Sequence, residues 1–266
     1  MISFAVTAYN ETVRPQNRPR ILECIRTAQQ HDAIGEIVVV DDGSEDYDRL
    51  AELLDGQPKV RLYHNPTNRG VFGNKLEAIA RATGEWVITC DSDNRMDRNF
   101  IDWIAGCLNK KPDTWYCPSF AREDFDYRGL IGNYDVGEIA RILHQPMFRC
   151  CANTGNQTVH RDSFMEVFGA YRDKRADLMM VNWLELPEDV RKEHHWRLVF
   201  DACDSFIFNL GWLVAGNRLC IGEGLEYQHY RTNGAESNYA RAPADKGKLE
   251  AMLFSVLEME TKQWTP

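Results

Sequence analysis

The chain has 266 residues, is 44% hydrophobic and carries a formal net charge of −9. That length holds one large domain or two small ones, and the apolar share is ample for a core. The acidic balance argues against non-specific nucleic-acid binding, which needs a basic footprint, although a local basic patch is compatible with it.

In chain order, Ile2–Ala8 reads as a first strand that ends in Tyr9-Asn10-Glu11. Ile21, Cys24, Ile25 and Ala28 recur at helical spacing, so Arg20–Gln30 is predicted as a helix. Glu36–Val40 is a continuous apolar run, the pattern of a strand buried on both faces of a parallel sheet. It stops at Asp41-Asp42-Gly43-Ser44. A short helix over Tyr47–Leu54, a strand over Val60–Tyr63, a turn-rich loop over Asn65–Gly70 and a helix over Gly73–Thr83 follow. Trp86–Cys90 is another short apolar run rich in β-branched residues, hence a buried fourth strand. Alternating strands and helices over the first hundred or so residues predict a parallel, doubly wound, Rossmann-like half-sheet.

Three polar clusters, Tyr9–Glu11, Asp41–Ser44 and Asp91–Asn94, each follow a strand. In such a sheet these strand ends share one edge, where open α/β sheets bind ligands. Asp91 and Asp93 would project to the same side of an extended chain. Two carboxylates that close repel unless a cation lies between them. A hard divalent ion, Mn²⁺ or Mg²⁺, shared with substrate phosphates answers that need. The plainer reading is a pair of loop aspartates capping the next helix; the convergence of three clusters favours the metal. No G-x-G-x-x-G follows the first strand, and no P-loop is present.

These pieces together resemble a family 2 glycosyltransferase of GT-A fold. The resemblance rests on Thr7-Ala8-Tyr9-Asn10-Glu11, on Val40-Asp41-Asp42-Gly43-Ser44, on Asn68-Arg69-Gly70 before a helix, and on Gly84-Glu85 leading to Asp91-Ser92-Asp93. It implies an inverting, metal-dependent enzyme with a nucleotide-sugar donor, a UDP-sugar being expected. It assigns Thr7, Tyr9, Glu11, Asp41 and Asp42 to base and ribose, with Tyr9 suited to stacking and an Asp to accepting the uracil N3–H. Arg69 and Lys75 become phosphate candidates, since cations suit that role, and Ser92 joins the donor set. Asn94 stands where the family usually has a further Asp.

The second half is looser. A helix is predicted over Phe100–Leu108, a strand over Trp115–Pro118, loop over Arg122–Tyr134, and a strand over Asn153–Val159 with a helix behind it. Tyr171–His195 reads as an acceptor-side loop. Asp204, with Asp201 second, matches the family's catalytic base at the start of a helix over Ser205–Trp212, although Cys203 replaces the usual Glu and a helix N-cap would explain Asp204 equally. Trp212–Cys220 reads as a strand, with Gly216-Asn217 as a turn candidate within it. In Leu225–Tyr239 the resemblance offers His229 as a third metal ligand and Arg231 as a phosphate partner. Lys246–Lys262 has an amphipathic helical stripe that packs on the body or supports a homodimer or a membrane-surface contact.

The expected organisation is a nucleotide-sugar-binding half over 1–108, an acceptor-binding half over 109–241 and a C-terminal helix over 242–266. The acceptor hydroxyl is left open among glycan, lipid, protein and nucleic acid. Eight cysteines without C-x-x-C spacing read as buried reduced thiols. The opening residues lack a basic region of a signal peptide, and no window approaches a membrane span. A cytoplasmic location, with peripheral membrane contact left open, is therefore expected. Two rivals stand beside this reading. A nucleotidyltransferase would want a Gly-rich basic loop after the first strand, where Tyr9-Asn10-Glu11 stands. A non-catalytic nucleotide-sugar-binding or partner-docking protein would explain Asn94 and Cys203.

Overall fold

The computed structural model describes residues 1–13, 20–107, 109–122, 125–139, 155–172 and 203–229, together with residues 142, 145 and 148. The first half runs β1 (Ile2–Ala8), α1 (Arg20–Gln29), β2 (Ile34–Asp41), α2 (Tyr47–Leu54), β3 (Val60–His64), α3 (Gly70–Arg81) and β4 (Trp86–Asp91). β1, β2 and β4 bury nearly every side chain, as continuous apolar runs in a covered parallel sheet should.

The second half adds β5 (Arg95–Met96), α4 (Arg98–Gly106), β6 (Thr114–Cys117), β7 (Phe120–Arg122), β8 (Phe125–Asp126), β9 (Gly132–Tyr134), α5 (Val136–Ile139), β10 (Thr158–His160), α6 (Arg161–Phe168), α7 (Asp204–Val214), β11 (Arg218–Ile221) and β12 (Glu226–Gln228). One eight-stranded sheet has the order β3-β2-β1-β4-β10-β6-β11-β9. β1, β2, β3 and β4 pair in parallel, as do β6 and β11, whereas β10 runs antiparallel to both neighbours and β9 antiparallel to β11. The sheet is mixed α/β and mostly parallel, flanked by helices. A second sheet, β5-β12-β7-β8, ties the chain after β4 to the end of the described region.

Aromatic packing fixes the helices. Trp115 stacks on Trp212 at 4.8 Å between centroids, and Phe72 of α3 stacks on Phe208 of α7 at 4.3 Å. Phe164 and Phe168 of α6 join the same cluster. All of these rings are buried, so α3, α6 and α7 share one core.

Three expectations change. α3 begins at Gly70 rather than Gly73, because the Asp42 carboxylate accepts the backbone N–H groups of Arg69 and Gly70, both at 2.9 Å, and caps the helix from the turn that follows β2. The supposed loop over Arg122–Tyr134 contains β8, β9 and a 3₁₀ turn, strands too short to show a period. The supposed strand over Trp212–Cys220 is the end of α7, then a turn through Gly216 at φ +85°, then β11. Most of the Tyr171–His195 loop, Asp201, Arg231 and the Lys246–Lys262 helix lie outside the described residues. Among the described residues no helix is long and apolar enough to cross a membrane.

Candidate active site

β1 leads outward through β2 to β3 in one direction, and β4 lies on its other side. This reversal of strand order opens a crevice at the carboxyl ends of β1 and β4. In register, Thr7 pairs with Asp91 and Ala8 with Asp41, which aligns the three polar clusters along one edge.

Hydrogen bonds lace those clusters together. Asn10, in the left-handed region at φ +52°, donates its N–H to Ser44 Oγ at 2.8 Å and accepts from the Glu45 N–H at 3.2 Å. Asp46 accepts from the Thr12 N–H and hydroxyl, both at 2.6 Å. The Ser92 hydroxyl donates to the buried Glu11. Asp41, fully buried, accepts from Ser44 and bonds His64 Nδ1 at 2.8 Å. Asp42 is also buried and accepts from Asn65 as well as capping α3; burial raises its pKa despite those donors. Gly43 sits at φ +72°, where a Cβ would stand 2.9 Å from the Asn68 backbone nitrogen, so only glycine fits the turn. Tyr9 remains 38% exposed at the rim.

β4 ends at Asp91, and the chain then turns instead of staying extended: the Asn94 N–H donates to the Asp91 carbonyl at 2.9 Å. Asp91 and Asp93 still act on one another. Burial and the Asp91 charge push Asp93 up to about 6, with the charges of His229 and Arg20 opposing. The second sheet brings His229 there, because β12 pairs with β5 as Tyr227 to Met96 and Gln228 to Arg95, leaving His229 next in line. The Asp91 N–H donates to Asn156 Oδ1 at 2.8 Å, and Tyr227 hydrogen-bonds Asn156 in turn.

α7 presents its first residue, Asp204, to the same crevice. Asp204 is 7% exposed. Lys75, one turn into α3, lies between the carboxylates, 2.8 Å from Asp204 Oδ2 and 3.0 Å from Asp91 Oδ1. Burial alone would lower the pKa of Lys75; Asp204 and Asp91 outweigh it and hold the lysine well above its ordinary value. Arg69 turns along α3 to Glu77 at 2.9 Å. Glu77 also holds Arg81 and Arg172, and these guanidinium groups, Arg172 first, bring it down to about 2.

Thr7, Asp91, Ser92, Asp93, Lys75, Asp204 and His229 thus come together, with Tyr9 and Glu11 beside them and Asp41 and Asp42 forming the buried wall. Sequence reasoning missed Asn156 and Tyr227, whose contacts join segments far apart in the chain. It also missed Gly155, although a Gly-Asn pair before a short strand is a turn signal. Among the described residues no group of three or more His, Cys, Asp or Glu closes around a metal unaided. Asp91 and Asp93 nevertheless fit a Mn²⁺ or Mg²⁺ ion that takes one or two carboxylates and completes its shell with phosphate and water. Burial first, and the Asp91 charge second, raise the pKa of Asp93, and a bound cation would oppose both.

The sequence profile described as Glycosyl transferase family 2 matches residues 3–167. A glucosyl-dolichyl phosphate glucuronosyltransferase of Haloferax volcanii is 26% identical over 156 residues, covering 53% of this chain and 47% of the relative. Across the first curated relatives the match covers less than half of their own length. S. aureus TarS 1-349 in complex with UDP-GlcNAc superimposes with a TM-score of 0.63 at 14% identity, over 97% of this chain and 66% of that one. GalNAc-T7 with UDP, GalNAc and Mn²⁺ does so with a TM-score of 0.55 at 14% identity, over 96% of this chain and 54% of that one.

Proposed function

Since the chain belongs to glycosyl transferase family 2 and has the GT-A fold, we propose that it moves a sugar from a UDP-sugar to an acceptor hydroxyl, with inversion and with a divalent metal. The observation that carries this reading is the meeting of Asp91 and Asp93, at the switch point of the sheet, with Asp204 on α7. The donor and the metal are supported by the neighbours crystallised with UDP-GlcNAc and with UDP and Mn²⁺.

In this reading the exposed ring of Tyr9 stacks on the base. Thr7, Glu11, Asp41 and Asp42 shape the wall that receives base and ribose. Arg69, released from Glu77, serves the diphosphate, a role that the family resemblance also offers to Arg231. Asp91 and Asp93, with His229 beside them, hold the ion. A bound Mn²⁺ or Mg²⁺ supplies Lewis-acid stabilisation to the departing nucleoside diphosphate. Asp204 accepts the proton of the acceptor hydroxyl, whose oxygen attacks the anomeric carbon from the far side. The bond to the diphosphate oxygen breaks in the same displacement and its electron pair leaves with UDP, so the configuration inverts. Asp201 is the reserve candidate for the base. The acceptor belongs to one of four classes: glycan, lipid, protein or nucleic acid. The lipid-linked name of the archaeal relative makes a polyprenyl-type acceptor a sensible first choice.

The test is UDP release from a panel of nucleotide-sugars, with Mn²⁺, with Mg²⁺ and with chelator. Slow, metal-dependent release from one donor supports the reading and names the sugar. Tight, metal-dependent binding of a donor with no turnover, acceptors of all four classes supplied, favours the non-catalytic binding protein instead.

A further inference from the structure

The placement of Lys75 goes beyond a phosphate contact. Its ammonium is buried between Asp91 and Asp204, at 3.0 and 2.8 Å, with the residue 6% exposed. The niche depends on Gly155: a Cβ there would collide with Lys75 Nζ and stand 2.7 Å from Ser205 Oγ. Phe72 and Phe208 clamp the helix that carries Lys75 to the helix that carries Asp204. The two carboxylates differ in their surroundings. The Asp204 side chain is 10% exposed, whereas that of Asp91 is 33% exposed and faces the crevice.

We propose that Lys75 is an internal counter-cation that competes with the divalent metal for Asp91. Metal loading transfers Asp91 from Lys75 to the ion, and Lys75 stays with Asp204 alone. A single carboxylate cannot serve an ammonium at 3.0 Å and a divalent ion together without repulsion between the cations. Asp91 can leave because it borders the crevice, and Lys75 can stay because the buried Asp204 still neutralises it. Lys75 is thus a positioning residue that sets the metal requirement and couples loading of the donor site to the state of the proposed base. The inference rests on the metal reading of Asp91 and Asp93.

The experiment is a Mn²⁺ titration of the intact chain, followed by loss of the free-ion electron paramagnetic resonance signal, without ligand and again with UDP. Wild type is compared with the double variant Lys75→Met/Asp204→Asn. Removing both partners avoids leaving one buried charge unpaired. It also leaves the net charge of the site unchanged, so a general charge effect would not alter affinity. The double variant is expected to bind Mn²⁺ about tenfold or more tightly than wild type, as loss of a charge in direct contact requires. If it does not fold, Lys75→Gln/Asp204→Asn, which also keeps the net charge, is compared instead with the same expectation. Equal or weaker binding by the variant, with wild type binding Mn²⁺ normally, overturns the inference and leaves the metal reading standing. Absence of Mn²⁺ binding in both proteins, UDP included, overturns the metal reading and the inference with it.

Discussion

At the scale of single residues, Asp204 combines two properties that a base needs. Burial raises its pKa and so makes the carboxylate a stronger proton acceptor, with the Lys75 ammonium opposing the rise, and it lies across Lys75 from Asp91. Asp204→Asn keeps the shape and removes the proton acceptor. It is expected to cut kcat for UDP release by about 10²–10⁴-fold, the usual worth of a general base, with the donor KM little changed. Steady-state kinetics on the purified variant checks this. Gly155→Ala tests the niche: its methyl would displace Lys75 Nζ. Such overpacking costs about 1–3 kcal/mol, read as a lower denaturant midpoint together with reduced activity. Asp91, Asp93 and Asp204 were legible in the sequence as carboxylates after a strand and at a helix start. The bridge from Asp91 to Asp204 through Lys75 was not, because Lys75 lies on a helix whose sequence says only which face is apolar.

At the scale of elements, α7 is positioned by rings along its length as well as by the Asp204–Lys75 contact at its start. Residues Ser205–Leu213 are all buried, and Phe208 packs on Phe72, Phe164 and Phe168. Phe208→Ala is expected to destabilise the protein by about 3–5 kcal/mol, as large-to-small changes at such sites do, and to lower activity by loosening the Asp204–Lys75 register. Urea unfolding monitored by circular dichroism measures the first effect. The β1–β4 strands and α1–α4 were readable because their apolar periods are long. The start of α3 was misread because its cap, Asp42, comes from the turn after β2, far away in sequence. β8 and β9, two and three residues long, carry no period and exist only through their pairing with β7 and β11.

At the scale of the molecule, two buried carboxylates outside the crevice make stability depend on acid. Burial alone would raise Glu36, but Ser3, Thr83 and Arg61 outweigh it and bring it from 4.5 to about 2. Arg172 and Arg81 bring Glu77 to about 2. A folded-state pKa below the unfolded one gives stability that is full above about 4.5 and lost as pH falls towards about 2. Each group contributes about 2–3 kcal/mol over that window after allowance for screening. Thermal melts from pH 6 to pH 2.5 should therefore show a steep fall below pH 4.5, shallower in Glu36→Gln. The half-sheet and its switch point were legible as alternation of strands and helices. The second sheet, which carries His229 to Asp93, was not, since β5 and β12 are two and three residues long.

The most direct test of the account compares initial rates of UDP release by wild type, Asp93→Ala and Asp204→Asn, at saturating UDP-sugar and Mn²⁺. The account predicts metal-dependent release by wild type and a loss of at least about 10²-fold in both variants. Release by Asp93→Ala at the wild-type rate, or release that persists undiminished in chelator, would contradict the site built on Asp91, Asp93 and Asp204.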